Sequence, residues 1–218
     1  MPKPRPNYSS RLARPAVNAI LRVAGLFAIV SSLVFAAEGA DNSAPLHTVN
    51  GNFVTEWLML GPFTLRDAQV DPLAGAGGEA SVRPKAGESV SGQEAAALVW
   101  KRYTSPHDFV NLSAALGSTN NVVGYAYCEV ESSEDREVVF DLLSYGQSKV
   151  WINGAPLALG RGGVSARGLG SAPVPLRKGR NSCLLKLSHS LDEWMFMLRL
   201  LPQNRAVIEG QVTDPAGT

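Results

Sequence analysis

The sequence has little of what most catalytic or metal-binding chains carry. Only two of its 218 residues are cysteine and three are histidine, and charged residues make up 18%. Cys128 and Cys183 stand alone in sequence, so there is neither a zinc-ligand spacing nor a disulfide framework. His47, His107 and His189 are scattered, each read more simply as a structural or surface histidine. The motifs HExxH, GxSxG and GxxxxGK[ST] are absent, and Gly163-Val-Ser-Ala-Arg167 departs from the second of these at its last position. Low charge without a heptad repeat excludes a coiled coil, and 45% apolar residues exclude a disordered chain. A non-enzyme without cofactor or metal is therefore expected. Asp141, Asp192 and Glu193 are carboxylates that glycoside hydrolysis would need to pair at a set separation, which spacing alone does not supply.

Residues 1–36 also lack any acidic side chain while holding Lys3, Arg5, Arg11, Arg14 and Arg22. Setting these five aside leaves 15 basic against 19 acidic residues, a net of −4 on the remainder. A basic head on a mildly acidic body reads as targeting, so no nucleic-acid partner is expected. The run Val23–Ala37 has the length of a signal-peptide core and is shorter than the roughly 20 residues of a bilayer span. Extending it backwards would place Arg22 inside the span, at a cost of about 2.5–3.5 kcal/mol. An N-terminal signal helix is expected over 1–36, cleaved after Ala36 or Gly39, with no stable membrane span afterwards. Export to the periplasm, the cell surface or the medium follows, and no lipid-bearing Cys follows the apolar run.

What is abundant is turn-forming: 21 Gly and 14 Pro. Residues 41–52 are polar and read as a tether. Phe53–Leu60 is β-rich and is expected to stop at Gly61-Pro62. Residues 66–97 are poor in aromatic and branched side chains and read as a long loop, either functional or mobile, with at most a short helix near Gln93–Leu98. Short strands follow at Val99–Tyr103, Val122–Val130, Glu137–Leu143 and Lys149–Ile152, after a brief helical turn or irregular stretch within Ser105–Leu116. Val138, Phe140 and Leu142 alternate with Val139 and Asp141, the two-residue period of a half-buried strand. Asn153-Gly154, between Lys149–Ile152 and Ala155–Leu159, is a hairpin signal because both central turn residues need positive φ. Gly160–Gly170 reads as a surface loop. Val174–Leu176 and Ser182–Ser188 flank the turn 177–181, and Glu193–Leu201 ends at Pro202. Seven or eight short strands without an amphipathic helix give an all-β fold, a β-sandwich or jelly roll.

Taken in order, Trp57–Phe63, Trp100, Gly124–Tyr127, Lys149-Val-Trp-Ile-Asn-Gly154, Val174-Pro-Leu-Arg-Lys-Gly-Arg-Asn181, Leu184–Leu187 and Trp194–Leu200 resemble the galactose-binding-domain-like jelly roll of exported bacterial multidomain proteins. The resemblance covers residues 53–202. The asparagine after the Lys-Gly turn is expected to bond its own backbone. Where the family commonly has a glycine and paired aspartates, this chain has Ser144-Tyr-Gly-Gln-Ser148, which removes acidic groups from that turn. Ala206–Thr218 resembles the first strand and turn of a carboxypeptidase-regulatory-like domain. A lone strand buries no core, so it is expected to be either the start of a further domain in a longer protein or a vestige.

The resemblance implies a binding module whose ligand sits at one rim, where an aromatic ring stacks on a sugar. Trp194 with Asp192 and His189, and Asn153 and Arg161 from the hairpin and the Gly-rich loop, are the candidates. Trp194 is more simply a core residue ahead of Met195–Leu200, and Asn153 more simply a turn residue. Trp57, Trp100 and Trp151, each within a strand run, are assigned to the core or the inter-sheet edge. Cys128 and Cys183 lie in strand-like runs and are read as small buried residues, or as a disulfide if their strands are neighbours, with Cα atoms within about 7 Å. The expected function is an exported, non-catalytic accessory module that binds carbohydrate or contacts other domains; the alternative is a structural spacer, and a glycoside hydrolase comes last.

Overall fold

The computed structural model describes residues 41–91, 97–117, 120–159, 167–189 and 193–203. The expected signal segment, the Gly-rich stretch 160–166 with Arg161, Asp192, and the C-terminal strand at 206–218 lie outside them. In chain order the strands are β1 (Leu46–Thr48), β2 (Glu56–Thr64), β3 (Ser89–Val90), β4 (Leu98–Val99), β5 (Lys101–Thr104), β6 (Val110–Asn111), β7 (Val122–Ser132), β8 (Arg136–Tyr145), β9 (Ser148–Ile152), β10 (Ala155–Leu157), β11 (Arg167–Leu176), β12 (Gly179–His189) and β13 (Met195–Pro202). Two short helices join them, α1 (Leu65–Gln69) and α2 (Leu112–Leu116). Asn111 caps α2, its Oδ1 accepting the Ala114 amide at 2.9 Å.

The chain is all-β, built as two facing sheets. The larger runs β10-β9-β12-β7-β2-β5, and the smaller runs β11-β8-β13-β6. Between them lies a core from alternate residues of both: Trp57, Met59, Ala126, Cys128, Val150 and Leu185 on one side, and Val138, Phe140, Leu142, Phe196, Leu198 and Leu200 on the other. Trp57 meets Phe196 edge-on with centroids 5.1 Å apart, the orientation ring quadrupoles favour. The indole Nε1 of Trp57 donates to the Val54 carbonyl at 2.9 Å, so this polar atom is buried without cost.

A second core covers the outer face of the larger sheet. Leu58, Leu60, Phe63, Tyr125, Tyr127 and Leu184 point outward into Ala44, Leu73, Val82, Val90 and Trp100. This explains the unbroken apolar run of β7: its residues are buried on both faces. The stretch read as a loop is this covering layer, held by a 3-10 turn at Ala74–Ala76 and the β3-β4 ribbon. Leu98 is in β4, while residues 93–96 of the expected short helix fall outside the described set.

Three further expectations are corrected. Residues 41–52 are not a simple tether: β1 pairs parallel with β7 at Glu129–Glu131, on the edge left where β2 reaches only to Tyr127, and Ala44 is buried. Gly61-Pro62 does not end β2 but lies inside it, at a register shift between Leu60 and Phe63. A bulge accommodates a proline that cannot donate to the ladder; the Gly61-Pro62 bond is cis. Strand β11 begins at Arg167, well before Val174, and pairs with β8 from Arg167–Tyr145 to Leu176–Arg136. It is an edge strand, where Pro173 and Pro175 leave no ladder donor missing.

Candidate binding site

The motif pair that carried the resemblance is physically interlocked. Asn153 and Gly154 have φ of +51° and +81° and form a two-residue hairpin between the paired Ile152 and Ala155. The Asn153 Nδ2 donates to Asn181 Oδ1 at 2.8 Å, and Asn153 Oδ1 accepts the Ser182 amide at 3.0 Å. Asn181 in turn accepts the Arg177 amide at 2.9 Å and donates to the Arg177 and Gly179 carbonyls at 2.8 and 3.0 Å. The expected backbone bond of the asparagine after the turn is present. Both amides stitch the two hairpins together, so Asn153 acts as a turn residue here.

Trp194 is 1% exposed, and its ring stacks on the nearly buried His189 with centroids 5.6 Å apart. It packs beside Gly124, whose added Cβ would meet the indole at 3.0 Å. The ring is enclosed by the core and offers no face for a sugar. The expected rim site is thus not assembled among the described residues: Trp194 and His189 are together but inside, Asn153 is elsewhere, and Asp192 and Arg161 are not described. Asp141 is held by Arg199 on the smaller sheet. Glu193 is exposed, preceding Trp194.

Cys128 and Cys183 occupy opposed positions of β7 and β12, so their strands are indeed neighbours. Both are free thiols and fully buried. Burial, and then the hydrogen bond to Cys183, push the Cys128 thiol well above its usual range.

An open recess of about 170 Å³ lies elsewhere, on the outer face of the larger sheet. It is lined by Leu65 and Gln69 of α1, Val123 of β7, Gln147, Ser148 and Lys149 at the start of β9, and Lys186 and Ser188 of β12. Gly146 makes the preceding turn possible: its φ is +95°, and a Cβ there would stand 2.1 Å from the Ser188 carbonyl oxygen. The Gln147 carbonyl accepts the Ser188 amide at 2.9 Å and its hydroxyl at 3.3 Å, which fixes the turn against β12. The wall nearest the covering layer is an ionic cluster. Lys186 Nζ meets Glu79 Oε1 at 2.6 Å, and the Tyr125 hydroxyl donates to the same oxygen at 2.7 Å. Burial first, and then the bond to Glu79, raise the Tyr125 phenol far above its usual range.

Lys149 stands directly across from Lys186 in the β9-β12 ladder. It is exposed and has no ion pair or hydrogen bond among the described residues. Sequence reasoning passed over this site because Lys149 and Lys186 are 37 positions apart; the VWING strand and the LLKL strand that carry them were both legible, but their register was not.

No family model and no curated protein matches the chain. Among solved structures, it is similar to a β-glucosidase from Kluyveromyces marxianus in complex with glucose, at 16% identity and a TM-score of 0.31, over 37% of this chain and 10% of that one. The selenomethionine-labelled β-glucosidase of the same organism is similar at 12% identity and a TM-score of 0.39, over 54% of this chain and 16% of that one. The chain therefore spans a small fraction of the length of either. Among the described residues, no helix is long and apolar enough to cross a membrane, and no group of three metal-ligating side chains gathers.

Proposed function

We propose that the chain is an exported, non-catalytic accessory module of galactose-binding-like, jelly-roll type, and that it binds carbohydrate in the recess of the larger sheet. The observation that carries this reading is the recess itself: Ser188, Gln69, Gln147 and Lys149 lie around the apolar side chains of Leu65 and Val123, while the Ser148 hydroxyl is turned inward to Ser144. Hydroxyl-rich ligands need donors and acceptors spread around a C–H-compatible surface, and this set provides both. At about 170 Å³ it is well below the roughly 300–1,000 Å³ of drug-sized pockets, a size for one sugar unit of a longer chain.

The test is a glycan array of neutral and acidic saccharides probed with the purified chain. Binding that is lost in Ser188→Ala and Gln147→Ala supports the reading; binding to nothing on the array contradicts it. The second reading is a structural spacer within a larger protein. It is favoured by the enclosure of Trp194 and by the commitment of Asn153, which leave the expected rim without a platform.

A further inference from the structure

We propose that the ligand of this recess is an acidic saccharide, with its carboxylate held by Lys149; this rests on the carbohydrate reading above and narrows it to one class. The argument starts from the register of β9 and β12. Lys149 and Lys186 are directly opposed in an antiparallel pair, where like charges repel. A sheet tolerates such a pair when each charge has an opposite one nearby. Lys186 has Glu79 at 2.6 Å and is largely buried, as its side chain retains 11% exposure. Lys149 is exposed at the recess and has no counter-charge among the described residues.

The recess thus keeps one uncompensated cation beside the Ser188 hydroxyl and two glutamines, with no carboxylate among its described lining residues. A neutral hexose would satisfy the hydroxyls and amides but leave the Lys149 charge unanswered. A simple anion such as phosphate would answer the charge but leave the Leu65 and Val123 wall and the amides unused. A uronate unit does both: its carboxylate reaches Lys149, its hydroxyls reach Ser188 and the glutamine amides, and its C–H face lies on Val123 and Leu65. The turn 146–148 presents only Gly, Gln and Ser to the ligand, so nothing there repels a carboxylate.

The test is affinity electrophoresis of the full chain in gels containing polygalacturonate, alginate or hyaluronan. Neutral galactan and polyglutamate, a polyanion without sugar, serve as the comparisons. Retardation by at least one uronate polymer, and much less by galactan and polyglutamate, is expected. Lys149→Ala should weaken it about tenfold, as loss of a charge-assisted hydrogen bond does, and Lys149→Arg should retain most of it. Lys149 is exposed, so both variants fold, which far-ultraviolet circular dichroism checks. Equal retardation by galactan, or no effect of Lys149→Ala, overturns the acidic assignment while leaving carbohydrate binding in place. Retardation by polyglutamate as strong as by the uronates overturns sugar recognition itself. No retardation by any uronate polymer also overturns the acidic assignment, and the neutral saccharides of the glycan array then decide the broader reading separately.

Discussion

At the scale of single residues, a few polar side chains fix this molecule. Asn181 is 1% exposed and donates to or accepts from five groups, in both hairpins and in β7. Replacing it with Ala removes the acceptor of the Arg177 amide and of the Asn153 Nδ2. The expected cost is about 2–3 kcal/mol, or roughly 5–10 °C in the melting temperature of a domain this size, read by calorimetry. The two thiols permit an equally direct test. Because both are buried and the Cys128 thiol is shifted upward, neither should react with a thiol reagent in the native chain. Unfolding without reductant should then release two reactive thiols per chain; recovering none would show a bridge between them instead.

At the scale of elements, the covering layer is the least expected feature and depends on one ionic contact. Glu79 ties residues 71–91 to β7 through Tyr125 and to β12 through Lys186. Glu79→Ala removes the anion from a largely buried ammonium, and breaking such a pair costs about 3–5 kcal/mol. Faster hydrogen exchange should be confined at first to 71–91 and the outer face, with the inter-sheet core protected; uniform protection throughout would show that the layer is held by packing alone. Strands with strict alternation were legible in the sequence: Val138, Phe140 and Leu142 face the core as their spacing implies. The Asn153-Gly154 hairpin was legible because its turn chemistry is local. The covering layer was not, because Leu73, Val82 and Val90 are isolated apolar residues in a polar stretch, with no period to betray a shared face. The full length of β11 was hidden by glycines and prolines that only an edge position tolerates. The recess was hidden for a related reason: its cations come from two strands whose pairing no local signal records.

At the scale of the whole molecule, two tyrosines buried under the covering layer govern the response to alkali. Burial comes first for both Tyr125 and Tyr127, with Glu79 and Glu129 respectively adding to it, and both phenols are shifted well above their ordinary value near 10. The folded chain holds the protons that the unfolded chain loses above that value. Stability is therefore fully present below pH about 10 and falls as pH rises beyond it. Thermal midpoints should be flat through neutral pH and drop above about pH 10, with tyrosinate absorbance from these two residues appearing only as the chain unfolds. The same layer frames one side of the recess, so the covered face and the recess are parts of one surface.

The proposal that this surface recognises an acidic saccharide is the central claim, and nuclear magnetic resonance of the nitrogen-labelled chain titrated with oligogalacturonate tests it most directly. Amide shifts concentrated at Gln147–Lys149 and Lys186–Ser188, saturating with ligand and lost in Lys149→Ala, are predicted. Shifts centred instead on the Asn153 hairpin or on the stretch around Trp194, or no shifts at all, would contradict it.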